Sequence, residues 1–229
     1  MLRRFLIAGC LLVIIVPFVF AMGKAPRTLK VKEEGRQAKM TSKSLTLPVI
    51  ADTWVYAFQP ERNYGSGGGW RDITDPTQAK TEPKMFLGFA GTGIEMVLLK
   101  FDLSALEKEP PVSSARVLVY NDYAGSDAPI TVAAHQITSD WEENKVTFRN
   151  RPKIGPALST AKLQGHISEG QAGKWYSWDV TAAVKAWQKG EPNYGIMLVP
   201  QGESGVDFDL VARENEAKSQ FAPKLEIEY

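Results

Sequence analysis

The chain has one cysteine and two histidines in 229 residues, and each scarcity closes off a kind of chemistry. Cys10 falls inside an apolar N-terminal run, so the remainder has no thiol to pair and must be held by packing rather than by an internal disulfide. Neither His135 nor His166 has another His or a Cys at metal-ligand spacing, which leaves a zinc site unsupported. No Gly-x-Ser-x-Gly elbow or other nucleophile signature is present. Carboxylate pairs meet in space rather than in sequence, so a polysaccharide lyase or hydrolase stays open as an alternative. A basic globular face is also missing. Residues 22–47 carry seven Lys or Arg against two Glu, whereas residues 48–229 carry 18 basic against 24 acidic residues. The overall charge of +1 therefore hides an acidic body, which argues against a nucleic-acid reader.

The N-terminus reads as an address. Arg3 and Arg4 precede an apolar run from Phe5 to Ala21, and Val19-Phe20-Ala21 offers the small or modest residues a signal peptidase reads. Export to a secreted, periplasmic or cell-surface location, in a bacterial setting, follows from residues 1–21 as a signal peptide. The same run is at the lower limit for a membrane anchor, in which case membrane contact is confined to this segment. Ile7-Ala8-Gly9-Cys10 has the form of a lipobox, but the apolar run continues past it, and Cys10 is read as part of the hydrophobic region. Residues 22–47 lack apolar periodicity and are rich in Lys, Ser and Thr, the composition of a disordered basic linker.

From residue 48 to 229, short runs of Val, Ile, Tyr, Phe and Trp alternate with Gly, Pro, Asn and Asp clusters. Strands are expected near 50–58, 85–90, 95–102, 114–121, 129–137, 145–149, 173–180, 194–200, 206–213 and 223–229. Val97, Leu99 and Phe101 share one face, as do Ala115, Val117 and Val119, and Leu225 and Ile227 alternate with Glu226 and Glu228. One helix is expected, capped by Asp179 or Thr181, with Val180, Val184 and Trp187 at i, i+4 and i+7 and Gly190 ending it. About ten short antiparallel strands with one lid helix predict an all-β sandwich of jelly-roll type.

A series of motifs then lines up along the chain. Ala51-Asp52-Thr53-Trp54-Val55, Asn63-Tyr64-Gly65 and Leu98-Leu99-Lys100-Phe101-Asp102-Leu103-Ser104 come first. Ser114-Ala115-Arg116-Val117, Asp140-Trp141-Glu142 with Val146-Thr147-Phe148-Arg149-Asn150-Arg151-Pro152, and Trp178-Asp179-Val180-Thr181 follow. Asn193-Tyr194-Gly195-Ile196, Ala212-Arg213-Glu214 and Pro223-Lys224-Leu225-Glu226-Ile227 close it. Over roughly residues 50–229 the chain resembles the DNRLRE domain, related to the non-catalytic modules of disaggregatase and to family 96 carbohydrate-binding modules. The resemblance implies a β-sandwich of exported and cell-surface proteins, often set beside enzymes that cut polysaccharides, with glycan binding in some members.

Within that frame the candidate binding residues are loop aromatics, because a flat ring covers the apolar face of a pyranose while nearby polar groups fix its hydroxyls. Trp141, Trp178, Trp187 and Phe101 fall on motif positions that read as core. Tyr64, Trp70 and Tyr123 lie in Gly- and Asp-rich loops, 59–84 and 121–128, where a ring has less reason to be buried. Arg71 beside Trp70 would pair with a uronate carboxylate and favour an acidic glycan. Calcium is the expected cofactor, since sandwich modules of this sort often carry a structural ion and hard cations need several oxygen ligands. Asp52 and Glu214 are its candidate ligands; the alternative is that they cap turns or pair with Arg213. The expectation is a non-catalytic binder of polysaccharide, with a structural or adhesive envelope protein contacting protein partners as the other reading.

Overall fold

A computed structural model describes residues 43–65, 83–168, 170–202 and 205–229. The signal and linker readings for residues 1–42, and Trp70 and Arg71, lie outside the described residues. Among the described residues, ten antiparallel strands and one short α-helix follow one another in this order: β1 (Ser44–Tyr56), β2 (Lys84–Ala90), β3 (Gly93–Phe101), β4 (Ser114–Ala124), β5 (Ile130–Ile137), β6 (Ile154–Leu163), β7 (Lys174–Asp179), α1 (Thr181–Gln188), β8 (Ile196–Gln201), β9 (Asp207–Val211) and β10 (Lys224–Glu228). The expected sandwich is the observed fold.

Hydrogen bonding runs β1-β10-β4-β9-β2-β3-β8-β5-β6, with β7 on the free flank of β4 and β1 returning to β3. β1 is the joint of this arrangement. Its first half pairs with β10 (Ser44↔Glu228 to Pro48↔Lys224), and after a shift between Val49 and Ala51 its second half pairs with β3 (Asp52↔Leu99, Trp54↔Val97, Tyr56↔Glu95). A shift of this kind re-aims the strand, so one strand serves two layers. Its start at Ser44 also takes four residues from the stretch read as linker, because Leu45 and Leu47 find partners in Ile227 and Leu225.

The main core holds Trp54, Leu87, Val97, Leu99, Phe101, Val117, Val119, Trp178, Phe208, Leu210 and Leu225. A second apolar cluster, Val55, Met96, Leu98, Ile137, Trp141, Val146 and Met197, lies under the segment between β5 and β6. That segment was expected to contain a strand at 145–149. It forms turns instead, and Val146 is apolar because it plugs the second cluster. The strand that was missed, β6, is mostly exposed and carries Gly155 and Pro156, so it shows no apolar alternation.

The helix follows its apolar stripe but not its expected cap. Val180, Val184 and Trp187 are buried and Gly190 takes a φ of +99° just beyond the last turn, whereas the N-cap position falls on Val180 and carries no side-chain cap bond; Asp179, one residue earlier, accepts from the Thr181 N–H at 2.8 Å through Oδ1. The Thr181 hydroxyl is used elsewhere, accepting from the Ala115 N–H at 2.9 Å and so tying the helix start to β4.

The two Asn-Tyr-Gly triplets prove to be the same device. Asn63 Oδ1 accepts from the Gly65 N–H (3.1 Å) while its Nδ2 donates to the Glu143 and Val146 carbonyls (2.8 and 2.7 Å). Asn193 Oδ1 accepts from the Gly195 N–H (3.0 Å) and its Nδ2 donates to the Phe101 carbonyl (2.8 Å). Each asparagine closes a local turn with its oxygen and clamps a distant segment with its nitrogen.

Candidate functional site

Three carboxylates that are far apart in sequence meet beside the register shift of β1. Asp52 comes from β1, Glu143 from the segment between β5 and β6, and Glu214 from the residues after β9; one oxygen from each lies within 4.8 Å of the others. The two candidate metal ligands are thus brought together, and Glu143 is a third that sequence reasoning missed. Its signal was faint: it stands one residue past Asp140-Trp141-Glu142, and nothing in sequence shows that the Trp141 anchor, whose indole N–H donates to the Tyr194 carbonyl at 2.7 Å, turns this segment back over β1.

Arg213 threads the cluster. Its backbone N–H donates to Asp52 Oδ2 (2.9 Å), its Nη2 donates to both Glu143 oxygens (3.0 Å each), and it pairs with Glu214. The Asp52 backbone N–H donates to Glu143 Oε1 at 3.1 Å. Three carboxylates face one guanidinium, and Asp52 is fully buried. Burial first, and then the Glu214 charge, push the Asp52 carboxyl well above the usual range; burial also raises Glu214. Asp52 Oδ1 and Glu214 Oε2 accept no hydrogen bond, and Glu214 Oε1 meets only the Arg213 guanidinium. Buried oxygens with spare lone pairs and surplus negative charge suit a hard divalent cation, so the residues fit calcium. The other reading of Asp52 and Glu214, as partners of Arg213, holds as well.

The aromatic candidates divide. Tyr64, expected to lie open in its loop, is only 2% exposed. Its ring stacks on Trp54 with centroids 3.8 Å apart, its hydroxyl donates to Gln59 Oε1 (2.9 Å), and the Arg62 guanidinium lies 4.9 Å from its centroid. The Asn63 clamp turns the residue inward, and Tyr64 is a core side chain with no face left for a ligand. Tyr123, near the end of β4, is 38% exposed. Lys84 Nζ stands 5.9 Å from its ring centroid and bonds Asp209 (3.1 Å); Lys218 bonds Asp122 (2.9 Å), and Lys84 also lies 3.6 Å from Asp122. Tyr123 is therefore an open ring bordered by linked donors and acceptors, and the charged residues around it were not legible because they come from β2, β4, β9 and the turn Glu216–Phe221.

One buried acid stands apart from both groups. Glu95, on β3 opposite Tyr56 and Gly88, is fully buried and neither carboxylate oxygen has a donor. Burial, followed by the charges of Asp207 and Asp209, raises its pKa to about 8. Gly88 takes a φ of +149°, and a Cβ there would lie 2.3 Å from the Val206 carbonyl oxygen, so only glycine admits the close approach beside Glu95.

Each histidine contacts a neutral oxygen. His135 Nδ1 is 2.8 Å from the Gly155 carbonyl, and His166 Nε2 is 2.9 Å from Ser168 Oγ.

Comparison with known proteins agrees with the architecture. The family described as carbohydrate-binding module family 96 matches residues 43–229, the whole of the sandwich. Among curated proteins, the chain is 28% identical over 193 residues to the tRNA nuclease WapA of Bacillus subtilis (strain 168) and to the tRNA3(Ser)-specific nuclease WapA of Bacillus spizizenii. These alignments cover 81% of this chain but only 8% of each relative, so the match concerns a small part of very long proteins.

Proposed function

Because this chain belongs to carbohydrate-binding module family 96, we propose that it is a non-catalytic binder of polysaccharide that acts outside the cytoplasm. The observation that carries the reading is that the family match spans residues 43–229, the entire described sandwich. Tyr123 supports it in detail: an open ring edged by the Lys84, Asp209, Asp122 and Lys218 ion pairs offers an apolar platform with fixed polar groups at its rim. Trp70 and Arg71 enter the proposal as further glycan contacts on sequence grounds alone, and a charge-assisted contact from Arg71 would favour a uronate-bearing strand. The nuclease activity named for the WapA relatives belongs to proteins of which the alignment covers 8%, and it is not carried over.

Calcium enters as a structural cofactor in the same proposal. Asp52, Glu143 and Glu214 would hold it, and its charge would offset carboxylates that Arg213 alone only partly balances. Held there, the ion would fasten β1, the β5–β6 segment and the residues after β9 to one point.

Affinity electrophoresis through polysaccharide-containing gels tests the binding role. Wild type is expected to be retarded by at least one polysaccharide, with Tyr123→Ala and Trp70→Ala each retarded less. Equal migration of wild type in all gels and in a plain gel would refute it.

A further inference from the structure

A second group of rings lies on the solvent side of the sheet, apart from every residue considered so far for binding. Ala115, Val117 and Val119 of β4 point into the core, so Arg116, Leu118 and Tyr120 fall on the outer face, where neighbouring side chains leave Tyr120 only 9% exposed. In β7 the inward residues are Tyr176 and Trp178, leaving Trp175, Ser177 and Asp179 outside. Tyr120 and Trp175 are register partners and meet edge-on, with centroids 5.3 Å apart at 67°. Phe221, from the turn Glu216–Phe221, stacks on Tyr120 at 4.1 Å and 16°. Lys224 Nζ lies 4.8 Å from the Trp175 centroid and pairs with Glu226 at 2.9 Å.

The core does not require Trp175 and Phe221, because its own aromatics, Tyr176 and Trp178, already fill the inner side of β7. Phe221, stacked on Tyr120, and Trp175, set edge-on to it, are both half-buried, so part of each of these two rings stays open to solvent outside the core. Their packing against Tyr120 also fixes the ring planes in advance, which lowers the entropy lost on binding.

We infer that the outer face of β4 and β7 is a polysaccharide track that begins at Tyr123 and continues over Phe221, which lies on the covered ring of Tyr120, to Trp175. The inference rests on the glycan-binding reading above and extends it to a surface that reading does not use. The register shift between Asn121 and Tyr123 sets Tyr123 opposite Asp209 and so returns it to the outer face; Tyr120 and Tyr123 are three residues apart on one strand, roughly 10 Å, and Trp175 adds one strand spacing of about 5 Å, so the track is long enough for more than a single ring contact. The stretch between the rings is polar: Lys84 with Asp209 and Asp122, Lys218 with Asp122, and Lys224 with Glu226. Each pair sets a donor beside an acceptor. Sugar hydroxyls both donate and accept, so a glycan uses both halves of a pair while leaving it intact. A flat apolar protein partner would have to strip water from all of these charges without replacing it. That contrast selects a hydroxyl-rich strand as the occupant.

The test compares wild type, Trp175→Ala, Trp175→Phe and Tyr123→Ala in gels containing alginate, xylan or hydroxyethyl cellulose, with thermal unfolding as a check on folding. In whichever gel retards wild type, W175A is expected to bind about tenfold more weakly, W175F close to wild type, and Y123A more weakly as well. Retention of W175A equal to wild type, with Y123A impaired, overturns the track and confines binding to the end of β4. Wild type unretarded in all three gels overturns the glycan-binding reading itself, and the track with it. A change in the oligomeric state of W175A on size exclusion, with retention unaltered, also overturns the track and assigns the rings to a protein contact. Should W175A fail to fold, wild type alone decides by NMR: the Trp175 indole N–H resonance, assigned through W175F, is expected to move on adding oligosaccharides of the retarding polymer, and a resonance that stays put refutes the track.

Discussion

Replacing Glu95 by Gln should change the pH dependence of stability in a direction fixed by burial. The carboxyl is fully enclosed, lacks any donor, and faces Asp207 and Asp209, so the fold holds its proton far more tightly than the unfolded chain does. An acid whose pKa is raised on folding contributes full stability below its unfolded pKa and loses it as pH climbs through the folded value. Here that window runs from the ordinary 4.5 up to about 8. At about 1.4 kcal/mol per pH unit, the whole interval corresponds to a loss on the order of 5 kcal/mol, much of a typical domain's stability. Asp209, raised to about 6 chiefly by its own burial, and Asp207, raised for the same reason, contribute slopes of the same sign. The difference between wild type and variant is therefore what isolates Glu95. Gln has nearly the same shape as the protonated acid and carries no charge at any pH. Urea unfolding at pH 4.5, 6, 7.5 and 9 should give similar stability for the two proteins at the acid end and a Glu95→Gln variant several kcal/mol more stable at the alkaline end. Parallel curves for wild type and variant across that range would refute the reasoning, because they would mean that the Glu95 carboxylate is solvated or paired in the folded protein.

Three further outcomes are expected. Calcium added to chelator-stripped protein should raise the thermal midpoint, by an amount equivalent to about 2.7 kcal/mol at a hundredfold excess over Kd, and Asp52→Asn should abolish the increase; an unchanged midpoint at millimolar calcium would remove the ion from the proposal. Tyr64→Ala should cost about 3–5 kcal/mol in denaturant unfolding because it removes the ring stacked on Trp54, whereas a cost near zero would return Tyr64 to the surface. Gly195→Ala should lower the midpoint by several degrees, since φ is +95° there and the new Cβ would lie 2.1 Å from the Leu99 carbonyl oxygen; an unaltered midpoint would show that β3 and the β8 entry are not held that closely.

Most of the fold was legible because it rests on alternation. Leu225 and Ile227 are buried between Glu226 and Glu228 as their spacing demands, and the helix from Thr181 follows its apolar stripe to Gly190. What escaped has a common cause in tertiary context. β6 borrows its order from β5 and shows no apolar pattern of its own; Val146 looked like a strand residue because a second core cluster needed an apolar plug. Tyr64 stood among loop residues, and only the reach of Asn63 to Glu143 and Val146, some 80 residues on, draws it inside. The site was half readable for the same reason. Asp52 and Glu214 sit on motif positions, whereas Glu143 joins them through a turn whose path depends on Trp141 reaching Tyr194.

The shared allegiance of β1 has a mechanical meaning. Ser44 lies opposite Glu228, and the Tyr229 N–H donates to the Lys43 carbonyl at 3.0 Å, so both ends of the folded unit emerge side by side from neighbouring antiparallel strands. Tension applied between those two points would peel the first rungs apart one at a time, as a zip opens, and would not meet the combined resistance of a strand dragged lengthwise. The peeling would reach Val49, where β1 changes neighbours, and halt against the rungs it shares with β3. Under load the molecule would thus let out a short length of chain and keep its ring-bearing faces assembled.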